Sequence, residues 1–359
     1  MICDGTMDSD CTMGPNGRCG RWIPPPALEC SHDECFQDSD CGGGALCLAR
    51  SAGSPHEKYS SRPSNRGHWL TPIPMREIRP ADVDPQLRWR GTLLKHLLDL
   101  SNARSMRRAQ GLIERFVRGR PARGLSRGET TISRKMDGSP LRVLVYRSLP
   151  PGDDAAGLLW LHGGGYAIGA PEMDHDFFRR FIDAASCVIV APDYRLSLRA
   201  RDKGEVNVAF QLPLYPMLDD RMNTDSARDS EAPVWNSRSN DAAWRLYLAD
   251  LFGTDQVPKY AAPAREQDYS RLPATYTFVG GIEPFRDETR AYVENLRKAG
   301  VPVEFTEYEG CFHAFPRMCP KADVSRRAIL QLVEAFKHAC ANRFAPQPAG
   351  QPEPLAPRA

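Results

Sequence analysis

The residues best suited to chemistry begin at His162. His162-Gly163-Gly164-Gly165 directly follows an apolar run, Gly157-Leu158-Leu159-Trp160-Leu161. Three consecutive glycines carry no side chain to block a close approach, so their backbone N–H groups can converge on one point. A developing oxyanion in acyl transfer is stabilised by such convergence. A flexible glycine turn is the plainer alternative, and the strand-like run and preceding histidine favour the first reading. The nucleophile such chemistry needs is harder to find. Gly124-Leu125-Ser126-Arg127-Gly128 matches G-x-S-x-G letter for letter. That motif works when an apolar strand leads in and a helix leads out, because the strained turn between them exposes the hydroxyl. Here the basic, proline-containing stretch Arg118–Arg123 precedes it, Glu129-Thr130-Thr131 follows, and it lies upstream of the glycine run. It reads as a decoy.

The cysteines are a second concentration of reactive groups. Seven of the 11 fall within residues 3–47, namely Cys3, Cys11, Cys19, Cys30, Cys35, Cys41 and Cys47, and the other four are single. A dense block in a short polar segment reads as a disulfide scaffold, because so few apolar residues cannot form a core unaided. Structural zinc is the competing reading, but there is no C-x-x-C pair. A free-thiol segment is the third, and the odd count leaves one thiol over. Asp8-Ser9-Asp10-Cys11 recurs as Asp38-Ser39-Asp40-Cys41, each followed by a Gly-containing loop and another cysteine. The segment resembles small cysteine-rich modules of secreted or surface-attached bacterial proteins. Met1-Ile2-Cys3-Asp4 opens with neither the basic nor the apolar region of a secretory signal. The N-terminus therefore points to the cytoplasm and the cysteines to an extracytoplasmic setting.

The elements that must position these groups follow from pattern. The 359 residues are 41% hydrophobic and 26% charged, with a net charge of +2, enough for one domain with a full core plus a small appendage. No apolar run reaches the roughly 18–20 residues of a bilayer span. Residues 1–50 form the cysteine-rich module, 51–80 have linker composition, 81–343 form the main domain, and 344–359 form a proline-rich tail expected to be disordered. Helical periodicity runs over 86–118 from Pro85. Residues 88–135 hold thirteen Lys/Arg and three Asp/Glu. A nucleic-acid or anionic-membrane surface is one reading and the solvated face of amphipathic helices the favoured one; no run of interleaved aromatics offers stacking platforms for bases, and no nucleic acid is expected. Beyond Thr130 come strands at Leu141–Tyr146, Gly157–Leu161, Val188–Ala191, Phe210–Tyr215, Thr275–Val279 and Val303–Glu307. Helices are expected over Asp174–Ala185, Ala242–Leu251, Asp287–Ala299 and Lys321–Ala341. The alternation implies a mainly parallel α/β sheet covered on both faces.

Leu158–Gly169 resembles the oxyanion loop of the hormone-sensitive-lipase-like branch of α/β-hydrolase esterases and lipases. Asp193-Tyr194-Arg195-Leu196, Tyr215-Pro216-Met217-Leu218-Asp219, Trp235-Asn236 and Trp244–Leu248 resemble other segments of that branch. Glu283-Pro284-Phe285-Arg286-Asp287-Glu288 is similar to its D-P-L-x-D-E motif, and Gly310-Cys311-Phe312-His313-Ala314-Phe315 to its histidine loop. The resemblance implies an α/β-hydrolase fold and hydrolysis of small acyl esters without metal or cofactor. It places Gly163, Gly164 and Gly165 at the oxyanion hole and Glu283 and His313 as acid and base. Glu replaces Asp as the acid, and a carboxylate of either kind orients an imidazole. Asp287 is assigned to the start of the following helix.

The serine should lie between Leu196 and Phe210, where the family holds a crossover helix, a strand, the G-x-S-x-G turn and a second helix. Only 12 residues separate Leu196 from Ala209. Two crossovers and a strand need roughly 30. Ser197 sits at the junction but lacks flanking glycines. The expectation is a hydrolase lacking one central strand and its nucleophile, inactive or strongly impaired. The alternatives are a non-catalytic surface or ligand-binding protein, or a faulty junction at Leu196.

Overall fold

The computed structural model describes residues 77–133, 138–149, 156–193 and 207–346, with the backbone of three short strands near the N-terminus. These are β1 (Ile2–Cys3), β2 (Cys19–Trp22) and β3 (Ala27–Cys30), an antiparallel sheet in the order β1-β3-β2. Its register sets Cys19 opposite Cys30. The cysteine side chains of the module, Ser197 and the tail beyond 346 lie outside the described residues. The chain divides into two compact units, Met1–Pro72 with Arg134–Ser139, and Ile73–Ser133 with Pro140–Ala359.

The second unit opens with α1 (Arg88–Leu97) and α2 (Ala103–Phe116). One periodic stretch in sequence is thus two helices. Leu98 turns extended, and Asn102 starts α2 by accepting hydrogen bonds from the backbone N–H groups of Arg104 and Ser105, the usual work of an N-cap amide. Next come β4 (Ser126–Ser133), β5 (Pro140–Arg147), β6 (Gly157–Leu159), α3 (His175–Ala185) and β7 (Val188–Pro192). They form a sheet in the order β4-β5-β7-β6, in which only β6 and β7 run parallel. Ser126 is the first residue of β4 and pairs with Arg147. No helix follows it, so the literal G-x-S-x-G does not form the strained strand-to-helix turn a nucleophile requires.

The remaining elements are β8 (Phe210–Gln211), α4 (Asp225–Asp229), α5 (Ser237–Leu248), β9 (Ala274–Gly280), α6 (Arg286–Lys298), β10 (Val303–Tyr308), α7 (Phe315–Met318) and α8 (Asp323–Asn342). Helix α5 begins five residues before the expected start, because the Asn236 side chain caps it at Ser239. The three strands form a parallel sheet, β8-β9-β10, with every residue of β9 buried. The strand expected over Phe210–Tyr215 shrinks to two residues and a single bridge, Leu214 to Phe278. Pro213 between them has no N–H to give the ladder, and its carbonyl is taken by the Thr277 hydroxyl instead.

Among the described residues the two sheets share no strand pairing. β6 ends one and β8 ends the other. The halves are joined by a common core, in which Leu144, Tyr146, Phe178, Phe181 and Ile189 meet Phe278, Phe312, Phe315, Leu332 and Phe336. Phe181 and Phe336 bring α3 and α8 together, ring centroids 4.7 Å apart. Strand β6 bears the mark of an uncovered edge, with Leu159 63% exposed and nearby Leu161 41% exposed; inner strands of parallel sheets are buried on both faces. Leu159→Ser is therefore expected to change stability by less than about 0.5 kcal/mol. Leu144→Ala, at a fully buried site, is expected to cost about 2–5 kcal/mol. Urea unfolding midpoints of the two variants distinguish an open β6 edge from a covered one.

Candidate active site

Glu283 and His313 come together. Glu283 sits just beyond the C-terminal end of β9, fully buried, and its Oε2 lies 2.5 Å from Nδ1 of His313. The other carboxylate oxygen accepts the Gly280 N–H at 2.6 Å. A buried carboxylate is tolerated only when its oxygens are occupied in this way. Two backbone hydrogen bonds latch the acid's loop to the histidine's, Gly281 N–H to Tyr308 O and Ile282 N–H to Cys311 O. Gly280 is required by the close approach, since a Cβ there would stand 2.2 Å from the Cys311 carbonyl oxygen. Phe312 and Phe315, both fully buried, anchor the turn on either side of His313. Ala314 takes up a left-handed φ of 57°. Asp287, four residues on, does not reach the histidine. Its carboxylate binds Arg286 and accepts the Ser226 N–H in the first turn of α6.

The imidazole is boxed by aromatics, with ring centroids of Tyr215, Phe285 and Trp235 at 4.8, 5.1 and 6.0 Å. Trp235 is also where the glycine run docks. A Cβ on Gly165 would lie 2.4 Å from the Trp235 ring, and one on Gly164 would lie 1.7 Å from the Ile168 carbonyl oxygen. Both glycines have positive φ, 131° and 56° for Gly164 and Gly165, a region other residues reach only with strain. Gly163 faces open space. The loop folds on itself through Ala167 and Ile168 N–H groups donating to Gly164 O. Among the described residues no acceptor takes the N–H of Gly163, Gly164 or Gly165. A further tie spans the two sheets. Buried Asp174, beside α3, accepts Trp160 Nε1 at 2.9 Å and Arg317 Nη1 of α7 at 2.8 Å.

The sequence profile of a family described as alpha/beta hydrolase fold matches this chain in two stretches, residues 158–198 and 196–317. Esterase LipI of Mycobacterium tuberculosis (strain ATCC 25618 / H37Rv) is 25% identical over 228 residues, covering 49% of this chain and 71% of that protein. An acetyl-hydrolase of Streptomyces hygroscopicus is 28% identical over 226 residues, covering 50% and 75%. Among solved structures, a bacterial heroin esterase superposes with a TM-score of 0.64 at 25% identity, covering 72% of this chain and 98% of its own. The chain has the α/β-hydrolase fold, and its matched half is similar to esterases of the hormone-sensitive-lipase-like branch. The LipI alignment spans 228 residues, yet 49% of 359 is about 176. About 52 positions of that relative therefore pass without a counterpart in this chain.

Sequence reasoning named Gly163, Gly164, Gly165, Glu283 and His313. It did not single out Trp235, Tyr215 or Phe285 as site residues, although all three stood in quoted segments, nor Gly280 or the Asp174–Arg317 pair. Their roles arise from tertiary contact, and a Gly at the end of an apolar strand was the one local signal for Gly280. Behind the acid lies a second buried carboxyl, Glu288 in the first turn of α6. It accepts the Leu218 N–H at 2.8 Å. Burial, aided by nearby Asp219 and Glu283, pushes its pKa well above the ordinary carboxylate range. An acid whose pKa is raised on folding stabilises fully below its unfolded value and loses that contribution as pH climbs towards the folded value. The protein should thus lose stability from about pH 4.5 upward through this group. Glu288→Gln keeps an acceptor for Leu218 and cannot ionise, so it should be neutral at low pH and stabilising at pH 8, as read by thermal unfolding across that range.

Proposed function

We propose that this hydrolase retains the acid, base and oxyanion loop of a carboxylic-ester hydrolase without a nucleophile, and therefore accommodates small acyl esters but barely turns them over. In the ordinary reaction a serine hydroxyl attacks the ester carbonyl, the imidazole removes its proton, and backbone N–H groups hold the oxyanion until the alcohol leaves. Here Glu283 would orient His313 through Nδ1 and leave Nε2 as the basic nitrogen. Gly163, Gly164 and Gly165 would offer their N–H groups to the ester oxygen. Among the described residues nothing equivalent supplies the attacking oxygen.

The observation that carries this reading is the 2.5 Å Glu283–His313 pair beside a junction of only 12 residues between Leu196 and Ala209. Further support comes from the family match, which parts at 196–198, and from the unpaired edges of β6 and β8 among the described residues. Loss of the serine from such a set costs about a millionfold in kcat. Hydrolysis of p-nitrophenyl acetate by the purified chain is expected to stay near the uncatalysed rate, and His313→Ala is expected to change it little. Turnover at an esterase's rate that disappears in His313→Ala, with circular dichroism retained, would refute the reading and point to a serine working from an unexpected place.

A further inference from the structure

We propose that α1 and α2 form a docking face for an anionic lipid bilayer surface. The inner faces of both helices are already used. Leu87 and Met106 are buried, and Gly91 lets α1 lie against Phe312, where a Cβ would stand 3.0 Å from the ring. The outer faces carry apolar side chains that nothing in the fold requires. On α1, Trp89, Leu93 and Leu97 recur every fourth residue and are 64%, 47% and 68% exposed. On α2, Leu112 and Phe116 follow the same spacing at 60% and 55%. Side chains four apart share one face of a helix, so each helix presents an apolar stripe to solvent. Five large exposed hydrophobics on consecutive helices exceed the scattered singles of an ordinary surface.

Charge identifies the partner. On α2, Arg104, Arg108 and Arg115 lie on the same face as Leu112 and Phe116, by the 100° step of a helix, and all three are exposed. None of them forms an ion pair among the described residues, whereas Glu114, the helix's one acid, is bonded to Gln110. Guanidinium groups lie over the aromatic members of both stripes, Arg90 at 5.1 Å from the Trp89 ring and Arg115 at 5.5 Å from that of Phe116. Residues 88–135 carry a net +10, while the whole chain carries +2. The rest therefore sums to −8, and the positive pole coincides with the helices bearing the apolar stripes. Arginines flanking Trp, Phe and Leu on an amphipathic helix suit a membrane interface, where the apolar chains enter the acyl boundary and the guanidinium groups meet lipid phosphates. A nucleic acid would satisfy the arginines and leave the leucines in water.

The test is co-sedimentation of the full chain with vesicles of equal parts phosphatidylglycerol and phosphatidylcholine, against vesicles of phosphatidylcholine alone. The chain is expected to bind the mixed vesicles, more weakly as salt rises, and to bind the neutral ones poorly. Arg104→Glu with Arg108→Glu should weaken binding by about 25-fold or more, roughly fivefold for each arginine. Leu112→Ser with Phe116→Ser should weaken it more than about tenfold. Trp89→Ser with Leu97→Ser tests the first helix independently. All of these side chains are solvent-facing, so circular dichroism and the thermal midpoint should be unchanged. No binding to the mixed vesicles, or unchanged binding by the Leu112/Phe116 and Trp89/Leu97 pairs, overturns the proposal. Displacement from the vesicles by duplex DNA, with the apolar variants binding DNA as well as the parent does, reassigns the face to a polyanion.

Discussion

The site half of this molecule is organised by one buried carboxylate. Glu283 has no access to water, and an unpaired charge in that position would cost several kcal/mol. The fold occupies one oxygen with the Gly280 N–H and the other with His313. Much of the surrounding geometry follows from this need. Gly280 must lack a side chain for the two loops to close on each other, and the backbone latches from Gly281 and Ile282 hold the loops in register. Phe312 and Phe315 pin the histidine's turn into the core. The packing that fixes the pair thus comes from the two loops and the aromatic core themselves.

A second constraint, chain length, governs the sheet. Parallel strands need long crossovers, and the stretch between β7 and β8 is too short to supply two of them and a strand. Among the described residues the strands form two sheets rather than a continuous one. What holds them is the shared aromatic core and the Asp174 carboxylate, which bonds Trp160 from one half and Arg317 from the other. Trp235 adds a third connection, since Gly165 rests on its ring and that ring faces His313. The glycine loop and the histidine are therefore kept near one another by side-chain packing.

Much of this was legible from residue pattern. The apolar runs that became β7 and β9 and the helices ending at Ala185 and Lys298 were readable because burial on both faces, or on one stripe, imposes a period. The glycine run, Glu283 and His313 stood out through motif order. The rest depended on contacts that no local window carries. Pro213 cut β8 short although the flanking residues are apolar, and an asparagine cap split one helical period into α1 and α2. Trp235 and Tyr215 belonged to recognisable segments, yet only the fold sets their rings against His313. The packing of Phe181 in α3 against Phe336 in α8, which ties the two halves together, likewise lies beyond any local window.

The central claim is that an assembled acid, base and oxyanion loop has no serine to activate. Intact-mass spectrometry after treatment with a fluorophosphonate, which phosphonylates an activated serine with loss of fluoride, addresses this without reference to any particular substrate. The account predicts an unmodified mass after prolonged exposure at neutral pH. A stoichiometric adduct, mapped to Ser197, Ser126 or any other serine and lost in His313→Ala, would contradict it.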